Sequence, residues 1–398
     1  MEKNYKLFFI AYVIANVGDW FFKLAMPIYL FEKTGSALYM AVGYALSFLP
    51  FLLFTLVGGV LADIYARKYL IVLVMFLSSA MVVLISYIIH IDGGLIFIYI
   101  FSFVLSSLTT VGHPILQSYI VDIVPDKAKL ASRNSFLLSV DNTLVLVAPI
   151  LSGVLISVLG TKLSFIINAG ALLAATVFIM LIDVKGVRVN VSKNVKSIVN
   201  MLKEGFLTIK AQPFLLYGSL LFFGTNFSTN FFNVNFVFIL KEYLLANSTQ
   251  VGICFAITGI GALAGSFAGP FFLKRMQEGR LIVIMTVFAG IFMFALMLAN
   301  NYILLGLIWG LVSFFGSVNV VAFFTLRQKV VPSEILGRSV AITRMISYAS
   351  IPLAAILGGM TLNATNNVVL IILIAAVIRI LMGIMAIFTP LFKTHAKI

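Results

Sequence analysis

One cysteine, Cys254, occurs in 398 residues, so no disulfide can form within the chain. Charge is scarce: Asp, Glu, Lys and Arg make up 10% of the residues, against 62% hydrophobic, and the mean hydropathy is +1.14. A soluble domain must present a polar shell to water, and this composition has too little polar surface to build one. Catalytic templates are missing as well. There is no H-E-x-x-H, no G-x-S-x-G and no G-x-x-x-x-G-K-[ST], which leaves an embedded enzyme or a nucleotide-driven pump without its chemistry and implies no metal and no cofactor. The short dyad segments of a membrane β-barrel are also lacking.

What is present is apolar length. A spanning helix needs ~20 mainly apolar residues. Charged and turn-forming breaks divide the chain into twelve runs, at 7–31, 39–62, 69–90, 95–121, 134–159, 163–182, 213–240, 248–273, 281–299, 302–326, 339–362 and 367–391. The expectation is an all-α membrane protein with twelve transmembrane helices. Cys254 falls in the eighth run and reads as a packing residue. The first run carries Asp19 and Lys23 without a small-residue cleavage site, so it reads as a retained span.

The net charge of +14 is distributed by side. If the N-terminus is cytoplasmic, the inner segments hold 21 of the 27 basic residues, three lie within spans, and the outer segments hold only Lys33, Lys162 and Lys241. That bias predicts two cytoplasmic termini and attributes the positive charge to topology and an anionic inner leaflet, with no role for nucleic acid. The longest polar interval, 183–212, carries six basic residues and ends at Pro213, a natural first residue of a helix. It separates a six-span domain, 1–182, from a second, 213–398. Within it Val195–Lys210 reads either as a helix on the membrane surface or as a loose linker.

The halves echo each other. Val124-Pro125, Arg133, Pro149 and Gly153 in the first correspond to Val331-Pro332, Arg338, Pro352 and Gly358-Gly359 in the second. Gly59 to Lys68, between the second and third runs, carries Asp63 and the Arg67-Lys68 pair, and Gly269-Pro270 with Lys274-Arg275 repeats it without the acid.

The 59–68 loop resembles the G-x-L-A-D-R-x-G-R-K pattern of major facilitator superfamily transporters, matching at Gly59, Leu61, Ala62, Asp63, Arg67 and Lys68 and departing at Ile64 and Ala66. Gly18-Asp19, Thr34-Gly35-Ser36, Pro50, Pro114 and Val331-Pro332 extend the resemblance to the branch of macrolide-efflux and enterobactin-exporter proteins. It implies the major facilitator fold, two six-helix pseudo-repeats with a site between them at mid-membrane. It also implies that Gly59, Asp63, Arg67 and Lys68 act in conformational gating, with Asp63 near Gly337–Ser339 and held with Arg67.

Only Asp19 and Asp141, of 13 acids, fall well inside spans, and an ionisable group there is a functional candidate by default. Asn16, Asp19 and Lys23 share one helical face. They form either a cavity-lining cluster in which Asp19 exchanges a proton or meets substrate, or an internal ion pair. Asp141, in the fifth run, is a second proton or gating candidate. Pro149 and Gly153 beyond it resemble the G-P-x-x-G-G element of facilitator exporters, degenerate at Ala148 and Ser152. His113, with Gln117 four residues on, is a possible proton relay or a satisfied core histidine. Asn226, Asn230 and Asn233 form a polar stripe among phenylalanines, suited to an amphipathic ligand or to interhelical hydrogen bonds, and Asn319 is a weaker counterpart. Arg344 and Arg379 are intramembrane bases that need partners, and Arg344 could meet substrate or Asp141.

These residues lead to a monomeric inner-membrane exporter of an amphipathic small molecule, exchanging it for protons by alternating access. The rivals are a siderophore or metallophore exporter, a facilitator without proton coupling, and, in other classes, a lipid scramblase, a sensor or a membrane-embedded enzyme.

Overall fold

Long apolar runs in lipid leave backbone N–H and C=O groups without water, and an α-helix satisfies them within its own segment. The computed structural model describes residues 2–124, 126–184, 212–331 and 333–392, with the side chains at 55–56, 59–60, 62–63, 127–128, 131 and 333–338 excepted. The expectations for 185–211, including Val195–Lys210, lie outside the described residues. All regular structure among the described residues is helical.

Among the described residues twelve crossings follow in order. They are α1 Glu2–Thr34, α2 Ala37–Ile64, α3 Arg67–His90 and α4 Leu95–Ile123, then α5 and α6 on either side of Gly160 in Lys127–Met180. The second six are α7 Pro213–Asn233, α8 Ser248–Leu273, α9 Glu278–Phe294, α10 Tyr302–Val330, α11 (Ser333–Tyr348 and Ser350–Thr365) and α12 Val368–Ile387. Among the described residues ten helices are long and apolar enough to span; one of them, Ser132–Met180, is two crossings, and the interrupted α7 is the twelfth.

Three details depart from the expected boundaries. No loop separates α5 from α6: the chain turns at Gly160, whose φ of 79° and ψ of 168° a side chain would disfavour. In α7 the helix stops at Asn233 and resumes as Phe236–Phe238 and a π turn, Ile239–Tyr243, three residues beyond the expected end. The α11 helix breaks at Ala349, three residues before Pro352, which has no N–H to offer the preceding turn.

Asparagine caps the start of several helices. Asn301 Oδ1 accepts from Leu304 N at 2.9 Å and Asn367 Oδ1 from Leu370 N at 3.0 Å. Before α8, Asn247 and Gln250 bond each other's backbone N–H, both at 2.9 Å, a reciprocal capping box.

The chain forms two compact units. Unit 1 comprises Met1–Gly35, Leu46–Lys193 and Asn247–Gly252, and unit 2 comprises Ser36–Ala45, Asn194–Ala246 and Ile253–Ile398. In unit 1, α1 lies along α5 and α6, and α3 packs on α4. In unit 2, α9 packs between α10 and α12, and α7 against α11 and α12, around Leu221, Ile282, Val318 and Phe323. Helix association in lipid depends on close approach of small residues. A Cβ at Gly261 of α8 would stand 2.0 Å from the Gly310 carbonyl oxygen of α10, so only glycine lets these backbones meet. Large apolar side chains such as Val158 and Phe267 point outward, as a lipid-facing surface allows and an aqueous one penalises.

Candidate functional site

In unit 1 the polar face of α1 begins one turn earlier than the sequence suggested. The Tyr12 hydroxyl reaches both oxygens of Asp141 on α5, at 2.7 and 2.8 Å. Asn16 folds back onto its own helix, donating to the Tyr12 carbonyl at 2.9 Å. Asp19 follows, 37% exposed, with the Lys23 ammonium 3.9 Å away, at the outer limit of an ion pair. Lys23 is 62% exposed and also lies 5.5 Å from the Trp20 ring centre, so this pair is loose. The His113 imidazole on α4 is within electrostatic reach of Asp19, and His113 and Gln117 share an exposed face. Asp19 thus has two cationic or protonatable neighbours, whereas Asp141 has a neutral phenol.

In the 59–68 loop the Nη1 of Arg67 donates to Asp122 on α4 at 2.7 Å, and both side chains are largely buried. The arginine stands at the first residue of α3, and Asp122, one residue before the end of α4, is the carboxylate it meets there. Lys68 Nζ donates to the Ile182 carbonyl at 2.5 Å, tying α3 to the end of α6. The side chains of Asp63, Gly337 and Arg338, and Gly59, lie outside the described residues. Pro149 and Gly153 meet the first turn of α8: a Cβ at Gly153 would stand 2.5 Å from the Ser248 carbonyl oxygen, and one at Gly252 2.3 Å from that of Pro149.

Unit 2 contains a cavity of about 440 Å³ bounded by α7, α10, α11 and α12. Of the expected residues, Asn226, Asn319 and Arg344 line it. Asn226 also donates to the Ser347 carbonyl at 3.0 Å. Asn319 is buried, donates to Thr286 at 2.9 Å and leaves its Oδ1 without a partner. Asn230 accepts from the Tyr44 hydroxyl at 2.8 Å, and Asn233 donates to that hydroxyl at 3.4 Å.

Two further arginines complete the lining. Arg379 is 4% exposed, and its Nη1 donates to the Thr229 hydroxyl and, at 3.4 Å, to the Thr225 carbonyl. Arg327 is 5% exposed, donates to the Thr343 hydroxyl at 2.7 Å and lies 4.7 Å from the Phe323 ring centre. Among the described residues no acid lines the cavity. Reading along the sequence missed Tyr12, Asp122 and Arg327. Tyr12 was recoverable, since it precedes Asn16 by four residues and Asp19 by seven on the same face. Among the described residues no group of three His, Cys, Asp or Glu gathers as a metal site.

Twelve apolar helices in two units, with a polar cavity inside a helix bundle, define a multi-pass membrane transporter. The chain belongs to the Major Facilitator Superfamily, whose model matches residues 8–355. It is 24% identical over 381 residues to macrolide efflux protein A of Streptococcus pyogenes, covering 90% of this chain and 91% of that one. An uncharacterized MFS-type transporter of Bacillus subtilis, YfiS, is 24% identical over 396 residues, covering 96% and 92%. A mutant of the nucleoside transporter NupG shares the fold, with a TM-score of 0.80 at 13% identity, over 97% of this chain and all (100%) of that one.

Proposed function

We propose that this transporter exports an amphipathic small molecule from the cytoplasm in exchange for protons. The observation that carries the reading is the unit 2 cavity, where phenylalanines and a few placed polar groups share about 440 Å³, a volume in the range of small-molecule sites. The relationship to a macrolide efflux protein supports the outward direction. Asp19, with His113 in reach, is the proton-exchanging acid, and Asp141 is the reserve, since its phenol partner supplies hydrogen bonds without charge. On this reading both termini and the 183–212 segment are cytoplasmic, the membrane is the bacterial inner membrane, the working form is a monomer, and domains 1–182 and 213–398 alternate access.

The test uses proteoliposomes loaded with a pH-sensitive dye, under an imposed pH gradient. A macrolide and three naphthalene compounds, bearing a phosphate, a quaternary ammonium or a hydroxymethyl group, are added in turn. At least one should collapse the gradient faster than in protein-free vesicles. Equal rates for the whole set would contradict proton exchange with amphipathic molecules.

A further inference from the structure

Unit 2 gathers three guanidinium groups around one cavity without a carboxylate. We infer that this cavity is an anion subsite, and that the transported molecule is an amphipathic organic anion whose charged head sits among Arg327, Arg344 and Arg379. The inference rests on the transport reading above and adds to it the sign of the cargo's charge.

A buried charge is costly unless paired and hydrogen-bonded. Arg327 and Arg379 are nearly fully buried, yet each uses Nη1 on a threonine hydroxyl, and the Nε of each finds no hydrogen-bond partner. Threonine supplies a lone pair and orientation, not a compensating charge. Sequence residues 213–398 contain only Glu242, Glu278 and Glu334 as acids. Glu242 belongs to the π turn after α7, and Glu278 is taken by Lys329 at 2.6 Å. Glu334, at the start of α11, has no described side chain. The bounding stretches of α7, α10 and α12 carry no acid at all.

A guanidinium presents its N–H donors in a planar fork that fits the paired oxygens of a phosphate, sulfonate or carboxylate. Arg344 is exposed and makes no hydrogen bond or ion pair with another described residue, so it is free to close on a ligand. The apolar body has its own wall: Phe222 stacks on Phe323 with ring centres 4.8 Å apart, and both line the cavity. A cationic amphiphile placed there would face three like charges.

The experiment measures binding of the three naphthalene probes to the full-length protein in lipid nanodiscs, without any gradient. Naphthyl phosphate should bind, weakening with salt, and the quaternary ammonium should not. Arg344→Gln is the informative variant, because it breaks no internal contact. It should weaken phosphate binding about tenfold, the scale of one charge-assisted contact, and leave the hydroxymethyl probe unchanged, while Arg344→Lys retains part of the affinity. Ammonium binding as tight as phosphate binding, or phosphate binding indifferent to Arg344→Gln, would overturn the inference. Repeating the measurement in anionic lipid identifies the source of the anion: competition by the lipid assigns the subsite to a lipid headgroup, and its absence to a free solute. Anion binding with no flux in vesicles supports the subsite and contradicts the transport reading. Flux without charge discrimination does the reverse.

Discussion

In unit 1, Asp19 has Lys23, Asp122 has Arg67 and Asp141 has Tyr12, whereas in unit 2 Arg327, Arg344 and Arg379 share one cavity with no acid on its lining. Nearly equal lengths of apolar helix thus treat charge in opposite ways. An adjacent cation favours the ionised carboxylate, whereas a neutral phenol hydrogen-bonds it without adding charge. Uncompensated arginines cannot shed their protons at neutral pH, so their remaining route to compensation is a bound anion. The proposed function uses this difference, with the proton assigned to unit 1 and the cargo to unit 2.

Supplying the missing acid should break that division most strongly. Asn319→Asp places a carboxylate on the cavity wall, where it takes the position of the ligand's charge. Naphthyl phosphate binding should fall about a hundredfold, the effect of several kcal/mol of like-charge juxtaposition. The thermal midpoint should hold or rise as the arginines gain a partner. Unchanged anion affinity would mean that the cavity's charge does not govern binding.

Next in size is Tyr12→Phe, which removes the one O–H donor shared between the two oxygens of Asp141 and leaves a part-buried carboxylate short of it. Stability should drop by about 1–3 kcal/mol, measured by denaturant unfolding in detergent. If the variant is as stable as the parent, the phenol is not the group that makes Asp141 tolerable on α5.

The smallest effect lies in the loop after α3. Lys33 Nζ donates to Asp92 Oδ1 at 2.8 Å, and this hydrogen bond, together with the lysine's charge, holds the Asp92 carboxyl below the usual carboxylate range. Because the folded value is the lower one, the stabilisation is complete above the unfolded value of about 3.9 and disappears as the pH falls through the folded value. Asp92→Asn should therefore lower the unfolding midpoint slightly at pH 7 and not at all well below pH 3.9. A difference that grows toward acid would reverse the sign and dismiss the pair.

How much of this could be read along the chain follows from what spacing encodes. The spans were legible because apolar length is a local property, and so was the shared face of Asn16, Asp19 and Lys23, which needs only helical periodicity. Partners far apart in sequence were not. Tyr44 shares hydrogen bonds with Asn230 and Asn233 across more than a hundred residues, and Asp122 accepts from Arg67 55 residues away. Arg327 looked like one more basic residue at a helix end. Only the packing of α10 against α11, with Thr343 beneath the guanidinium, shows that it is buried. The break between the fifth and sixth runs was legible at 160–162, where Gly160 and Lys162 interrupt the apolar sequence; what spacing did not show is that the chain turns on one glycine with no loop.

The most direct measurement compares two modes of transport in Asp19→Asn proteoliposomes, using whichever probe collapses the gradient in the parent protein. Counterflow, the exchange of labelled for unlabelled probe with no gradient, requires the cavity and the conformational cycle but no net proton movement. Gradient-driven accumulation requires the proton as well. The account predicts that Asp19→Asn abolishes accumulation and keeps counterflow near the parent rate. Accumulation at the parent level in Asp19→Asn would contradict the assignment of the proton to Asp19.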